Sequence, residues 1–150
     1  MEVHLIKNYD EDLSLLTIPS QNTDGPILII DNDLDFHHII QKCYRNAQKD
    51  NELVLLPSGE KALEYMMEVL SKSHPMPHLI FLDINMPEMD GFEFLKKLKT
   101  YSEFKDIPTI VMLSNSESPN DLKRAEQLGA EGYLVKSLDI KNYVKLFNSI

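Results

Sequence analysis

Five short apolar runs, each of three or four residues, recur along the chain and constrain its fold more than any other feature. Strands that are buried on both faces of a parallel sheet are continuous apolar runs, whereas half-exposed strands alternate apolar with polar residues. These runs are continuous. They predict five buried strands, at Ile27–Ile30, Leu53–Leu56, Leu79–Leu82, Ile110–Leu113 and Tyr133–Val135.

Amphipathic stretches with helical spacing separate the predicted strands. The first stretch has its apolar stripe at Phe36, Ile39, Ile40, Cys43 and Ala47, and we interpret Cys43 as part of the core. Strands and helices that alternate in this way predict an α/β fold, a doubly wound parallel sheet built from five βα units. The common strand order for five such units is 2-1-3-4-5, the flavodoxin-like arrangement.

Length, charge and cysteine content narrow the class of protein. A chain of 150 residues is sufficient for one domain. Its net charge of −9 argues against binding to nucleic acid, which requires a basic patch. With a single cysteine, no secretory signal and no stretch apolar enough to span a bilayer, the sequence predicts a cytoplasmic protein.

Residues 1–25 fall outside the alternation of strands and helices and form an acidic N-terminal extension. Charge-rich termini usually stay solvated, so we interpret this segment as a disordered or loosely docked arm. A specific interaction element is the alternative, because apolar residues between Leu13 and Ile18 could dock. The folded domain is predicted to cover residues 26–150.

Two aspartates follow strands that the predicted order makes neighbours. Asp31 ends the first strand and Asp83 ends the third, and adjacent strands lie about 4.8 Å apart. The carboxylates should therefore share one crevice, where their like charges need a cation. Acidic oxygens without histidine or cysteine suit a hard ion such as Mg²⁺. Helix capping or simple solvation is the alternative role, and Asp33 is predicted to cap the first helix.

The segment after the third strand has the pattern Leu-Asp-x-x-Met-Pro-x-Met-Asp-Gly, from Leu82 to Gly91. Together with the acidic turn at Asp31, a hydroxyl after the fourth strand at Ser114 and a lysine after the fifth at Lys136, this pattern resembles the receiver domain of two-component response regulators. The resemblance covers about Pro26 to Ile150. Stand-alone receivers related to phytochrome-partner regulators are the most similar subfamily.

The resemblance implies a role for each of these residues. Asp83 would accept a phosphoryl group from a phosphohistidine on a histidine kinase or a phosphotransfer protein. Lys136 and backbone donors near Asn85 and Asn115 would neutralise the phosphoryl charge. Ser114 would turn inward to bond a phosphoryl oxygen, and Tyr133 would move with it as the switch aromatic.

The resemblance also implies a magnesium site and reveals two departures from the family pattern. Asp31, Asp83 and the backbone carbonyl of Asn85 would hold the metal. Receivers usually carry a second acid where this chain has Asn32, which could contribute only weakly or through water. Ser137 stands where the family usually has proline after the lysine, which leaves the placement of Lys136 open.

Three alternatives remain at this point. Asp31-Asn32-Asp33 also resembles the nucleophile motif of haloacid dehalogenase-like phosphatases, although that reading leaves Asp83 unexplained. A flavodoxin-like flavin carrier is disfavoured, because acids after the first strand would repel a phosphate. A receiver that has lost phosphorylation and serves as an interaction module is the third. The adjacent pair His37-His38 and the pair His74 and His78 lack convincing metal-ligand spacing, and we predict both pairs at the surface.

The resemblance predicts a signalling protein rather than an enzyme, with its partners bound at a surface. In the family this surface is formed by helix four, strand five and helix five, here about Asn120–Leu128, Tyr133 and Ile140–Phe147. It would bind a separate effector or a second copy of the chain. Neither nucleic acid nor a membrane is an expected partner.

Overall fold

The predicted strands form one sheet in the computed structural model, which describes the backbone of residues 3–5 and residues 23–115, 118–136, 140–148 and 150. The strands are β1 (Val3–Leu5), β2 (Ile27–Ile30), β3 (Leu53–Leu56), β4 (Leu79–Asp83), β5 (Thr109–Ser114) and β6 (Gly132–Val135). The helices are α1 (Leu34–Asn46), α2 (Gly59–Leu70), α3 (Gly91–Leu98), α4 (Pro119–Gln127) and α5 (Ile140–Asn148), with a short 3-10 helix at Ser102–Phe104.

The order of the strands confirms the predicted architecture. Across the described residues the sheet runs β1-β6-β5-β4-β2-β3, and β3, β2, β4, β5 and β6 are parallel. This is the order 2-1-3-4-5 of the five predicted strands. The chain reverses its direction of winding between β2 and β4, so the carboxyl ends of these two neighbours border the crevice where such sheets bind ligands.

Alternate residues of each central strand face opposite layers of helices. On β2, Leu28 and Ile30 pack with α2, α3 and α4, whereas Ile27 and Ile29 pack with α1 and α5. The second layer contains Cys43, which is fully buried as predicted. Helices cover both faces of the sheet, and the predicted apolar runs of β2, β4 and β5 are buried, as expected for such strands. The run in β3, which lies at the edge of the sheet, was predicted to be buried but is only partly buried.

Side-chain caps fix where the helices begin. Asp33 caps α1 as predicted, since its carboxylate accepts hydrogen bonds from the backbone N–H groups of Asp35 and Phe36. Ser58 caps α2 and Asp90 caps α3 in the same way. The caps of α1 and α3 lie in the loops that follow β2 and β4, so they also order the loops around the two aspartates.

Strand β1 was not predicted. Val3–Leu5 pairs antiparallel with β6, with His4 opposite Tyr133, and covers an edge that would otherwise present unpaired backbone groups. Three residues are too few to stand out as a strand in a charged segment. Residues 6–22 lie outside the described residues, so the disordered or loosely docked arm stays a prediction for them. None of the helices in the described ranges has the length and apolarity that a bilayer-spanning segment needs.

Deleting residues 1–5 is expected to speed amide hydrogen exchange in β6 about fivefold, the loss of roughly 1 kcal/mol per backbone hydrogen bond. The residues to follow are Gly132–Leu134, the register partners of β1. Only those of their amides that point toward β1 rather than toward β5 should respond. Strand β3, at the opposite edge of the sheet, serves as the internal control. Unchanged exchange in β6 would show that β1 does not pair stably in solution.

Candidate functional site

The two aspartates lie side by side at the carboxyl edge of the sheet. Ile30 of β2 is in register with Leu82 of β4, so Asp31 and Asp83, the next residues, sit at the ends of adjacent strands. Asp31 is 0% exposed and Asp83 is 3% exposed. The structure therefore brings together the pair that the sequence predicted and removes both carboxylates from bulk water.

Lys136 supplies the positive charge for this pair. Its Nζ lies 2.6 Å from Oδ2 of Asp31 and 3.6 Å from Oδ1 of Asp83. The backbone N–H of Lys136 donates to the carbonyl of Ser114 over 2.8 Å, which fixes the start of the loop after β6. Lys136, whose placement the sequence left open, thus reaches the site, and its ammonium is nearer Asp31 than Asp83. Ser137 lies outside the described residues.

The surroundings of Asp83 raise the pKa of its carboxyl above the ordinary value for aspartate. Burial raises the pKa of the Asp83 carboxyl to about 6, and the negative charge of Asp31 acts in the same direction. The Lys136 ammonium and the Asn85 backbone N–H, which donates to Asp83 Oδ1 over 3.4 Å, lower this pKa. Near neutral pH the carboxylate form still predominates, and it is the form that can act as a nucleophile.

The turn between β4 and α3 is held tightly against Asp83. The Gly91 N–H donates to the Ile84 carbonyl over 2.9 Å, and Glu88 adopts a positive φ of 67° within the turn. A Cβ at Gly91 would lie only 2.2 Å from the Asp83 carbonyl oxygen. The Asp-Gly pair is part of the sequence pattern from Leu82 to Gly91, but the close approach of Gly91 to the backbone of Asp83 was not predicted from it.

Ser114 and Tyr133 lie on the next two strands. Leu113 is the register partner of Asp83, and Ser114 follows it as the last residue of β5, 1% exposed. Tyr133 of β6 is 0% exposed and packs in the layer that contains Ala125 of α4. Their switch roles stay predictions.

The donor set fits one hard cation held by few protein ligands. In the described ranges no cluster contains three or more histidine, cysteine, aspartate or glutamate residues. Asp31 and Asp83 nevertheless offer two buried carboxylates, and within the described chain Asp31 Oδ2 accepts no hydrogen bond beside its ion pair with Lys136. Asn32 is exposed and brings no charge to the pair. Two carboxylates with water ligands suit Mg²⁺ or Mn²⁺.

The prediction that the histidines lie at the surface was wrong for two of them. His37 is 7% exposed and His78 is 5% exposed. His37 lies on the buried side of α1 near the backbone of Asp31, and burial lowers the pKa of its imidazole. Adjacent residues on a helix point in different directions, so His37 is buried while His38 is exposed.

Comparison with known proteins agrees with this geometry. A family model described as the response regulator receiver domain matches residues 27–148. Response regulator Rcp1 of Synechocystis is 30% identical over 86% of this chain and 88% of that protein. The two-component response regulator ORR3 of Oryza sativa subsp. indica is 31% identical over 92% of this chain and 98% of that protein.

Solved structures give the same result. The Mn²⁺-bound form of Rcp1 superposes with a TM-score of 0.70 at 27% identity, over 83% of this chain and 89% of that one. The phosphorylated cyanobacterial phytochrome response regulator RcpA has a TM-score of 0.71 at 25% identity, over 83% and 89%. Sequence, strand order and site geometry agree, and the chain belongs to the response regulator receiver domain family.

Proposed function

We propose that this protein is a response regulator in which Asp83 accepts a phosphoryl group from a histidine kinase or a phosphotransfer protein. One observation carries the proposal. A carboxylate of raised pKa ends a central strand with a lysine ammonium 3.6 Å away and a second carboxylate beside it. A buried structural acid is usually balanced by a positive charge of its own, whereas here one ammonium faces two carboxylates. An acid that forms an acyl phosphate needs positive charge close to its oxygens.

The roles of the residues follow from the charge that is transferred. Asp83 attacks phosphorus as the bond between phosphorus and the donor imidazole nitrogen breaks, and the phosphoryl oxygens then carry the negative charge. The Lys136 ammonium and the Asn85 N–H both lie close to Asp83 Oδ1 and stabilise that negative charge. The Ser114 hydroxyl, one residue beyond the register partner of Asp83, donates to a phosphoryl oxygen in the product.

Mg²⁺ is the metal we propose for this site. Asp31, Asp83 and the backbone carbonyl of Asn85 would hold it, with Asn32 contributing through water. When bound, a divalent cation neutralises phosphoryl oxygens. The Mn²⁺-bound structure of Rcp1, a relative of this chain, supports a divalent metal in the proposal.

Phosphorylation would change the surface formed by α4, β6 and α5. Ser114 and Tyr133 are the proposed switch residues, because new charge-assisted bonds at the phosphoryl group bias a two-state element. A separate effector or a second copy of the chain would read this surface, where Ile140 is 49% exposed. The protein would act in the cytoplasm as a signalling protein rather than as an enzyme, without binding nucleic acid or a membrane.

The proposal is tested by incubating the protein with acetyl phosphate and Mg²⁺ and measuring its intact mass. We expect a single phosphoryl adduct that Asp83→Asn abolishes. Asp31→Asn should slow its formation, because it removes a metal ligand. Asp90→Asn is the matched control: it changes an acid in the same turn, and asparagine caps a helix about as well as aspartate.

Other outcomes would favour the alternatives. If neither acetyl phosphate nor a histidine kinase gives an adduct, the chain is a receiver that acts as an interaction module without phosphorylation. If phosphate esters are turned over in a reaction that depends on Asp31 but not on Asp83, the phosphatase interpretation is correct.

Asn32→Asp is expected to tighten Mg²⁺ binding about tenfold, because it adds a carboxylate beside a site that has only two. Isothermal titration calorimetry measures the affinity. Asn46→Asp is the matched control, since it makes the same charge change at the far end of α1, about 20 Å away by helix rise. Equal affinities of both variants would show that position 32 is outside the metal site.

A further inference from the structure

The ammonium of Lys136 lies over the ring of an aromatic residue that the proposed mechanism does not use. Its Nζ is 4.8 Å from the ring centroid of Phe36, within the range of about 6 Å for a cation–π interaction. The same Nζ contacts the carboxylates of Asp31 and Asp83. Three described groups therefore surround one charge, and the ring is the only uncharged one.

The backbone of Phe36 is fixed by the loop that orients Asp31. Its N–H donates to Asp33 Oδ1 over 3.3 Å, and the Asp33 N–H donates to Asp31 Oδ1 over 2.9 Å. Phe36 consequently occupies the first turn of α1 at a set distance from the metal-binding carboxylate. The cap, the carboxylate and the ring form one connected unit.

The ring of Phe36 is held by α5. Its centroid lies 5.8 Å from that of Tyr143, with an interplanar angle of 76°, which is an edge-to-face contact. Phe36 is 7% exposed and Tyr143 is 1% exposed. A ring that is packed on one side and capped through its backbone offers the lysine a fixed surface.

Lysine needs such a surface because its side chain has four rotatable bonds and its ammonium is drawn to the nearer carboxylate. The ammonium lies nearer Asp31, at 2.6 Å, than Asp83, at 3.6 Å. The proposed phosphoryl transfer needs the ammonium close to Asp83. The face of a ring attracts the charge without a competing negative charge. A fixed ring 4.8 Å from Nζ therefore restricts where the ammonium can move.

We propose that Phe36 is a positioning residue that holds the Lys136 ammonium between Asp31 and Asp83 for phosphoryl transfer. This inference rests on the proposed function. It predicts that the ring, rather than the volume of the side chain, is needed. Phe36→Leu should slow phosphorylation by acetyl phosphate about three- to tenfold, the range expected for a partly buried cation–π contact, whereas Phe36→Tyr should restore most of the rate.

Phe147→Leu is the matched control for lost packing. Phe147 lies on α5 in the same apolar layer as Phe36, 1% exposed, and its ring contacts are with Tyr44 and Phe81 rather than with Lys136. A second measurement does not depend on phosphorylation. In protein labelled with ¹³C-lysine, the Lys136 ε-methylene signal, assigned by its absence in Lys136→Arg, should show a ring-current shift that Phe36→Leu removes and Phe147→Leu keeps.

The two measurements separate failure of this inference from failure of the proposed function. If the wild-type protein takes no phosphoryl group but the ring-current shift is present, the proposed function fails while the contact between ring and ammonium stands. A Phe36→Leu variant that is phosphorylated at the same rate as the wild-type protein would overturn the inference. An equal loss of rate in Phe36→Leu and Phe147→Leu would also overturn it, as would a Lys136 signal that Phe36→Leu leaves unchanged.

Discussion

Gly91→Ala is expected to destabilise the protein by about 3 kcal/mol, the upper part of the usual range for overpacking. The added Cβ would lie 2.2 Å from the carbonyl oxygen of Asp83 and 3.0 Å from the Asp83 carbonyl carbon and from Ile84 Cα. These are backbone atoms, which cannot rotate away as a side chain can. Urea unfolding in EDTA measures the change in the free energy of unfolding.

The same substitution should impair phosphorylation of the molecules that remain folded. Relief of the clash must move either the first turn of α3 or the end of β4, and the second movement displaces the carboxylate of Asp83. We expect a rate of acetyl phosphate labelling at least tenfold lower at a temperature where the variant is folded. Normal labelling of a fully stable variant would show that the turn is less tightly packed than the structure indicates.

Gly59→Ala is the matched control for this variant. Gly59 is also the first residue of a helix, but its added Cβ would meet the side chain of Met89 at 3.0 to 3.1 Å. A methionine side chain has several rotatable bonds and can shift. We expect Gly59→Ala to lower the free energy of unfolding by less than about 1 kcal/mol, because the better helix propensity of alanine partly offsets the contact with Met89.

The fold could be predicted because burial of both faces of the sheet requires continuous apolar runs, and such runs can be recognised in the sequence. Strands covered on both faces are mostly apolar, and all five predicted runs lie in strands of the sheet. Strand β1 could not be predicted in the same way. It is a three-residue edge strand held by backbone hydrogen bonds to β6, and such bonds impose little pattern on side chains.

The site was only partly predictable for a related reason. Strand order makes Asp31 and Asp83 neighbours, so their pairing follows from topology. The preference of Lys136 for Asp31 depends on distances of 2.6 and 3.6 Å, which no spacing in the sequence encodes. The ring of Phe36 was assigned to the core from its helical stripe, and its second role as a neighbour of the ammonium appears only when both elements are in place.

Asp83→Asn is expected to make the metal-free protein more stable at pH 8 by about 2 to 3 kcal/mol. Burial and the charge of Asp31 raise the pKa of the Asp83 carboxyl to about 6, from an ordinary value of 3.8. The folded protein therefore holds this proton more tightly than the unfolded chain does. Each unit of difference between the folded and unfolded pKa values is worth about 1.4 kcal/mol, so ionised Asp83 destabilises the fold by roughly 3 kcal/mol.

The sign of the pH dependence follows from this difference. Stability contributed by protonated Asp83 is fully present below about pH 4, declines as the pH rises toward 6, and is lost above 6. The gain from Asp83→Asn should thus be near zero at pH 4 and greatest at pH 8, measured as the difference between the two urea midpoints. Asp90→Asn, which removes an acid from the same turn, is the control variant.

Added Mg²⁺ should reverse part of the difference at pH 8. A cation that binds the two ionised carboxylates of the folded state stabilises that state by mass action, and the wild-type protein offers both of them. Asp83→Asn keeps Asp31 but replaces the second carboxylate with a neutral amide, so Mg²⁺ should stabilise this variant less than it stabilises the wild-type protein. If Mg²⁺ raises the stability of both proteins equally, the cation is not held by Asp83. If Asp83→Asn is no more stable than wild type at pH 8 in EDTA, Lys136 neutralises the pair more completely than the raised pKa indicates.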